Sequence, residues 1–344
     1  MRPAVIVLLG VGVHMSWPPR AGAWNEVGHA VIAKLAYEEL GKENPKLQLQ
    51  LLQMLMKHPH YQQFLAKNRP PDANPAEWAL ARAANWPDWV RPPYRSGDKP
   101  DPDRVRFHRA FDHFINLPIV VDAGPSALDT KMPPVDPDRP DILSAFRGRM
   151  GELNEPAAAA EDKAVALCWI AHLVGDVHQP LHAGTQFSKQ FPEGDLGGNR
   201  FGVTVAGTPV RLHTYWDNLL GEVPGWEIDS AEHQAQVYAL VVKIAESLRE
   251  NPYSRAALAD ALQKNSTFAS WIDESHQLAK TAAYKNNGNL LNAAFVKTSV
   301  PAEAPDVGPG YEQRAQEVAR LRAAQAGFRL ADKLKVILSR QSGN

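Results

Sequence analysis

The chain has 344 residues, with 37 Lys+Arg against 38 Asp+Glu and a formal net charge of −1. Its 44% hydrophobic and 22% charged residues are an ordinary globular mix, which excludes intrinsic disorder and a polybasic grip on nucleic acid through net charge. A single cysteine, Cys168, excludes an intramolecular disulfide and a cysteine zinc cluster, while 28 Pro, 12 His and 9 Trp are the high counts.

Arg2 precedes the apolar run Ala4–Val13, which is too short to cross a bilayer, and Ala21-Gly22-Ala23 reads as a small-residue cleavage site. Residues 1–23 are therefore expected to be a cleaved signal peptide. Trp24 would then begin a single domain over 24–344, secreted or periplasmic, without a membrane anchor and monomeric. Removal of Arg2 and Arg20 with no acid would leave that domain more acidic than the whole chain.

The helical period dominates the chain from Trp24 onward. Val27, Val31 and Leu35 start a helix that ends near Gly41, and residues 47–57 continue helically. Asn68–Asp103 is rich in Pro and Asp and is expected to be mostly loop, interrupted around Trp78–Trp89; Leu117–Pro140 is a second Pro-rich stretch. Glu161–Val177 is apolar nearly all round and reads as a central buried helix. A Gly-rich loop covers Gly194–Gly202. Phe201-Val203-Val205 and Val210-Leu212 alternate around Ala206-Gly207-Thr208, which predicts one β-hairpin. Asp229-Ser230-Ala231-Glu232 resembles a capping box ahead of a helix with Val237, Leu240, Val241, Ile244 and Leu248 on one face. A last helix carries Val318, Leu321, Phe328, Ala331, Leu334 and Leu338. The expected fold is a mainly α single domain with a small β-hairpin and long loops.

Zinc takes imidazole and carboxylate ligands, usually four of them, so His and Asp at facing spacings are the useful signal. In His172-Leu-Val-Gly-Asp176-Val-His178-Gln-Pro-Leu-His182, His172 and Asp176 stand at i and i+4 on one face of the apolar helix. A carboxylate buried there without a cation would cost several kcal/mol. Pro180 stops the helix and His182 follows. His213 and Asp217 repeat the i, i+4 spacing. Trp86-Pro-Asp88-Trp-Val-Arg91 sets a carboxylate and a guanidinium three residues apart among tryptophans. His113-Phe114-Ile-Asn116 and Trp24-Asn-Glu-Val-Gly-His29 complete the candidate segments. Each alone is ambiguous, since such pairs also occur on surfaces and in polar corners of cores. His58, His60, His233 and His276 are expected to be solvated, His108 to hold no metal, and His178 to support the site without ligating.

In this order the segments resemble the zinc-dependent single-strand nucleases of the S-one and P-one type, within the superfamily that includes bacterial zinc phospholipase C. The resemblance spans essentially the whole of 24–344, including Tyr311, Ala319 and Ala326-Gly327-Phe328-Arg329-Leu330-Ala331 near the end. It implies three zinc ions. One would be held by Asp88, His113, His172 and Asp176; a second by His182, His213 and Asp217; the third by the amine and carbonyl of Trp24 with His29 and a bridging Asp176. It implies that Asp88 and Arg91 serve catalysis, and that Phe114, Asn116 and Asn199 line a base pocket, Asn116 standing where fungal members have Asp. The implied reaction is hydrolysis of single-stranded DNA or RNA to 5′-phosphorylated products by zinc-activated water in line with the leaving oxygen, with 3′-nucleotidase activity as a companion. Two alternatives remain: a zinc phospholipase C, against which Asp217 stands where those relatives carry Glu, and an exported zinc-binding protein without catalysis.

Overall fold

The computed structural model describes residues 24–92, 101–121, 139–224 and 230–341. The expected leader 1–23, most of the Pro-rich stretch 117–140 and Asp229 of the expected capping box lie outside them.

The chain forms eleven α-helices among the described residues: α1 Glu26–Glu43, α2 Pro45–Leu55, α3 Pro75–Trp89, α4 Pro102–Phe107, α5 Ile142–Asn154, α6 Ala160–Asp176, α7 Leu212–Asp217, α8 Ala231–Leu248, α9 Ala259–Lys264, α10 Phe268–Leu278 and α11 Tyr311–Gln341. Short side chains start many of them. Asn25 accepts from the Gly28 amide to open α1, and Ser230 accepts from the His233 amide to open α8. Asn74 accepts from the amides of Ala76 and Glu77, with Pro75 at the first helical position. That start places the interruption expected around Trp78–Trp89 in a helix that begins three residues earlier, so α3 runs twelve residues before Pro87 and carries through it. Helices α4, α5, α7, α9 and α10 are not among the elements expected from the sequence, although α10 carries Phe268, Trp271 and Ile272 at helical spacing.

Helix α6 forms the centre, buried without interruption from Ala164 to Asp176. Helix α3 lies on one side of it and α5 on another, while α1 packs against α3, α8 and α11. The α1–α11 approach is close enough to require glycine: a Cβ on Gly327 would stand 2.6 Å from the Leu35 Cβ.

Among the described residues seven short strands sit beside this helical body. The expected hairpin is present as β3 (Phe201–Val205) and β4 (Thr208–Arg211), with β7 (Ala294–Phe295) added on the far edge of β3. Its turn has positive φ at both Ala206 (48°) and Gly207 (78°), as a type I′ hairpin needs. Leu212, expected to end the second strand, instead opens α7. β1 (Pro118–Val120) pairs in parallel with β2 (Thr185–Phe187), joining the segment after His113 to the segment after His182; β5 (Lys285–Asn286) and β6 (Asn289–Leu290) form a separate pair. Two apolar clusters result: a large one among the helices, and a smaller one around Phe191, Phe201, Val203, Trp216 and Tyr311. No helix among the described residues is long and apolar enough to cross a membrane.

Candidate metal centre

The site forms where the ends of α3 and α6 meet α7 and the starts of α1 and of the β1 segment. Asp176, fully buried, ends α6 and points its two oxygens in different directions. Oδ2 lies 3.0 Å from His113 Nδ1 and 3.1 Å from His172 Nε2; Oδ1 lies 3.2 Å from His29 Nε2. The two ring nitrogens of His113 and His172 stand 2.8 Å apart, with Asp88 Oδ1 at 3.9 and 3.7 Å from them. Four ligands about 2.0–2.2 Å from a shared zinc stand about 3.3–3.5 Å apart, so these separations bracket a tetrahedral set. His182, His213 and Asp217 converge as a separate group, with His213 Nε2 3.6 Å from Asp217 Oδ2.

Backbone carbonyls aim three of the rings. His172 Nδ1 bonds the Ala84 carbonyl of α3 at 2.7 Å, His182 Nδ1 bonds the His113 carbonyl at 2.7 Å, and His213 Nδ1 bonds the Gly197 carbonyl at 2.6 Å. An Nδ1–H committed in this way leaves Nε2 as a lone pair, which is how proteins orient metal-binding histidines. The carbonyl that aims His182 belongs to His113, so the two groups are mechanically joined. The Ile115 amide bonding the His182 carbonyl at 2.8 Å adds to that link.

The electrostatics call for cations. Among the described residues no Lys or Arg comes within ion-pairing distance of Asp176 or Asp217. Burial alone would push the Asp176 carboxyl up, but the surrounding imidazoles outweigh it and hold it well below the usual carboxylate range. Burial likewise pulls the His172 imidazole down, and the Asp176 and Asp88 carboxylates more than reverse this. Among the described residues the Asp217 carboxylate accepts a hydrogen bond only from the Gln179 amide, at 2.8 Å, and burial pushes its carboxyl well above the ordinary value. A buried carboxylate so placed must take up a proton or a metal ion. His29 Nδ1, also buried, has no hydrogen-bond partner among the described residues. The donor set is nitrogen and oxygen only, as suits zinc.

The remaining expected residues fall around these groups. Trp24 is fully buried and its indole donates to the Gly175 carbonyl at 3.1 Å, next to Asp176. The amide of Asn25 donates to the Asp217 carbonyl at 3.1 Å, which stretches the segment Trp24-Asn25 between the two groups. Arg91 Nη2 lies 2.7 Å from Asp88 Oδ1. Arg104 of α4 donates to the carbonyls of Trp89 and Arg91, closing the end of α3. Phe114 is half-buried beside His113. Asn116 is exposed, its Oδ1 accepting from Thr185 at 2.8 Å. Asn199 turns its amide to the Leu196 carbonyl at 2.9 Å and is 5% exposed, so it braces the Gly-rich loop that supplies Gly197 to His213.

Residues 24–339 match the S1/P1 Nuclease family model. The chain belongs to this family. Curated relatives include Nuclease P1 of Penicillium citrinum (24% identical over 197 residues, 55% of this chain and 64% of the relative) and Nuclease S1 of Aspergillus oryzae (26% over 181 residues, 52% and 55%). Endonuclease 5 of Arabidopsis thaliana is 30% identical over 178 residues, 51% of each. The chain thus spans about half to two thirds of the length of the curated relatives it matches. The mainly α fold expected from the family resemblance is the one observed.

Four histidines expected to be solvated are buried instead: His58, His60, His233 and His276. Each ring has a partner that sequence spacing cannot show. His60 Nδ1 accepts from the Trp86 indole at 3.0 Å, His58 Nδ1 accepts from the His60 amide at 3.0 Å, His233 Nε2 meets Glu26 at 3.1 Å, and His276 Nδ1 bonds the Ala183 carbonyl at 3.0 Å. Burial, with His60 beside it, pulls His58 down to about 3, so it stays neutral. His178 keeps its supporting place, bonding the Val174 carbonyl and meeting Arg329 at 2.8 Å. Gln179, Asn25 and Gly175 are site residues that sequence reasoning missed. Gln179 lies within the His172–His182 segment, but only its bond to Asp217 reveals its part.

Proposed function

We propose that the protein is an exported, zinc-dependent endonuclease that hydrolyses phosphodiester bonds of single-stranded DNA or RNA to 5′-phosphorylated products and acts on 3′-nucleotides. The observation that carries this reading is the buried, two-directional Asp176 carboxylate joining two sets of converging ligands, with a third set beside it. Asp88, His113, His172 and Asp176 would hold one zinc; His182, His213 and Asp217 a second; and Trp24, His29 and Asp176 a third. The family match beginning at Trp24 supports a mature chain that starts there, where a free amine can ligate and an amide cannot.

Bound zinc supplies Lewis acidity, bringing the pKa of a water near 7 and offsetting charge on the departing oxygen. The chain's own side chains do the rest. Asp88, steadied by Arg91, orients the attacking water, and Arg91 meets phosphate charge with its fork of donors. Phe114 offers a ring on which any base can stack, which favours strands able to splay a base outward over duplexes whose bases stay paired. With zinc bringing the pKa of a water near 7, a histidine base would not be required. The names of the relatives, nucleases and endonucleases, agree with this chemistry.

The test is metal analysis of the mature protein together with a substrate panel of single-stranded DNA, single-stranded RNA, duplex DNA, 3′-mononucleotides and lecithin. Three zinc ions and release of 5′-phosphorylated fragments from single strands are expected. Lecithin hydrolysis without nuclease activity, or metal binding without any hydrolysis, overturns the reading.

A further inference from the structure

Phe111 and Arg139 form an exposed pair beside Phe114 that the metal centre and its base platform do not use. Phe111 is 39% exposed, although it belongs to a residue type usually buried. The Arg139 guanidinium lies over it, 3.9 Å from the ring centroid and 6.0 Å from that of Phe114. The two phenyl rings meet edge to face at 6.4 Å. Arg109, two residues before Phe111, is exposed as well, its guanidinium fixed by the carbonyls of Arg106 and His108 at 2.9 and 2.8 Å. The Ile142 amide donates to the Phe114 carbonyl at 3.1 Å, tying the segment that carries Arg139 to the segment that carries both rings. Two aromatic platforms are thus set one side chain apart, with a permanent cation reaching both, next to His113 of the candidate metal centre.

We propose that Phe111 and Arg139 form a second nucleotide subsite, which holds, on the side away from the scissile bond, the nucleotide next to the one whose base rests on Phe114. The alternation of ring, guanidinium and ring matches the alternation of base, phosphate and base along a strand. A base of any identity stacks on the Phe111–Arg139 pair, because every nucleobase presents a π face and guanidinium planes stack equally well. The guanidinium stays charged at every working pH and offers paired donors to phosphate. The inference rests on the nuclease reading and extends the same site by one nucleotide.

The test compares a dinucleotide, which spans only the scissile bond and the Phe114 platform, with an octanucleotide. Phe111→Ala and Arg139→Gln should each raise the KM for the octanucleotide by about fivefold or more. They should leave kcat on the octanucleotide, and both constants on the dinucleotide, within about twofold; retained dinucleotide cleavage reports an intact fold and metal centre. Phe111→Trp should restore the octanucleotide KM. An unchanged octanucleotide KM, or equal weakening on both substrates, overturns the subsite while the nuclease reading stands. A wild-type protein that cleaves neither substrate overturns the nuclease reading, and the subsite with it.

Discussion

Asp176 carries more of the site than any other residue. Its carboxylate faces His113 and His172 on one side and His29 on the other. Asp176→Asn keeps the size but removes the charge that two cations would share, so bound zinc and hydrolysis should fall together. Metal counting by elemental analysis checks this, and full occupancy in the variant contradicts the ligand set. Asp195 differs in that it is a buried carboxylate with no ion-pair partner among the described residues. It accepts from the amides of Gln186 and Gly198 at 2.9 and 3.1 Å, yet burial still pushes it up to about 6 from an ordinary value of 3.8. The folded state therefore binds this proton more tightly than the unfolded chain. The contribution of Asp195 to stability is greatest below about pH 4 and is lost as pH rises through about 6, a change on the order of 3 kcal/mol. In Asp195→Asn that titration is gone. Denaturant melts at about pH 4 and pH 7 should show the variant gaining on wild type as pH rises; parallel profiles would contradict the assignment.

Helix α6 meets α1 at Gly175, where an added Cβ would stand 2.6 Å from His29 Nδ1. Gly175→Ala should push the His29 ring off Asp176, costing about 1–3 kcal/mol of stability by overpacking and lowering occupancy of the metal position that His29 serves. Thermal melting and metal counting would report the two effects separately. Helix α6 is also the most legible element in the sequence. The buried helix and the shared face of His172 and Asp176 follow from spacing alone, whereas the meeting of His29, Asp88 and His113 with that face does not. The Asn74-Pro75 start of α3 is legible too, as a cap followed by a helix-opening proline, but proline-rich surroundings mask it. Histidines of the His58 and His233 kind are not legible. Whether a lone imidazole is solvated or buried depends on partners such as Trp86 and Glu26, and nothing local to the histidine announces them. The same holds for the buried group formed by Arg322, Arg329 and Glu274, in which both guanidiniums meet Glu274 Oε2 at 2.6 Å. It braces His178, because Arg329 bonds that ring and Arg322 the carbonyl at 3.3 Å, so α11 reaches into the turn between Asp176 and His182.

At the scale of the molecule, the segment Trp24-Asn25 is clasped at both ends of the site. Trp24 bonds Gly175 beside Asp176, and Asn25 bonds Asp217 of the other group. Extra residues left ahead of Trp24 should cost one zinc per chain while sparing the group of His182, His213 and Asp217; unchanged metal stoichiometry in such a protein would contradict the N-terminal ligand. The long last helix has a consequence of another kind. Its first turns, at Tyr311 and Ala315, belong to the small apolar cluster beside the β-strands, and its later turns, from Ala319 to Leu338, belong to the large helical one. One rod of 31 residues, about 46 Å at 1.5 Å per residue, is thereby a structural member of both. Neither cluster can melt without fraying the rod that completes the other. Calorimetry should accordingly show a single cooperative transition whose van't Hoff and measured enthalpies agree, and two resolved transitions would show that the rod does not couple them.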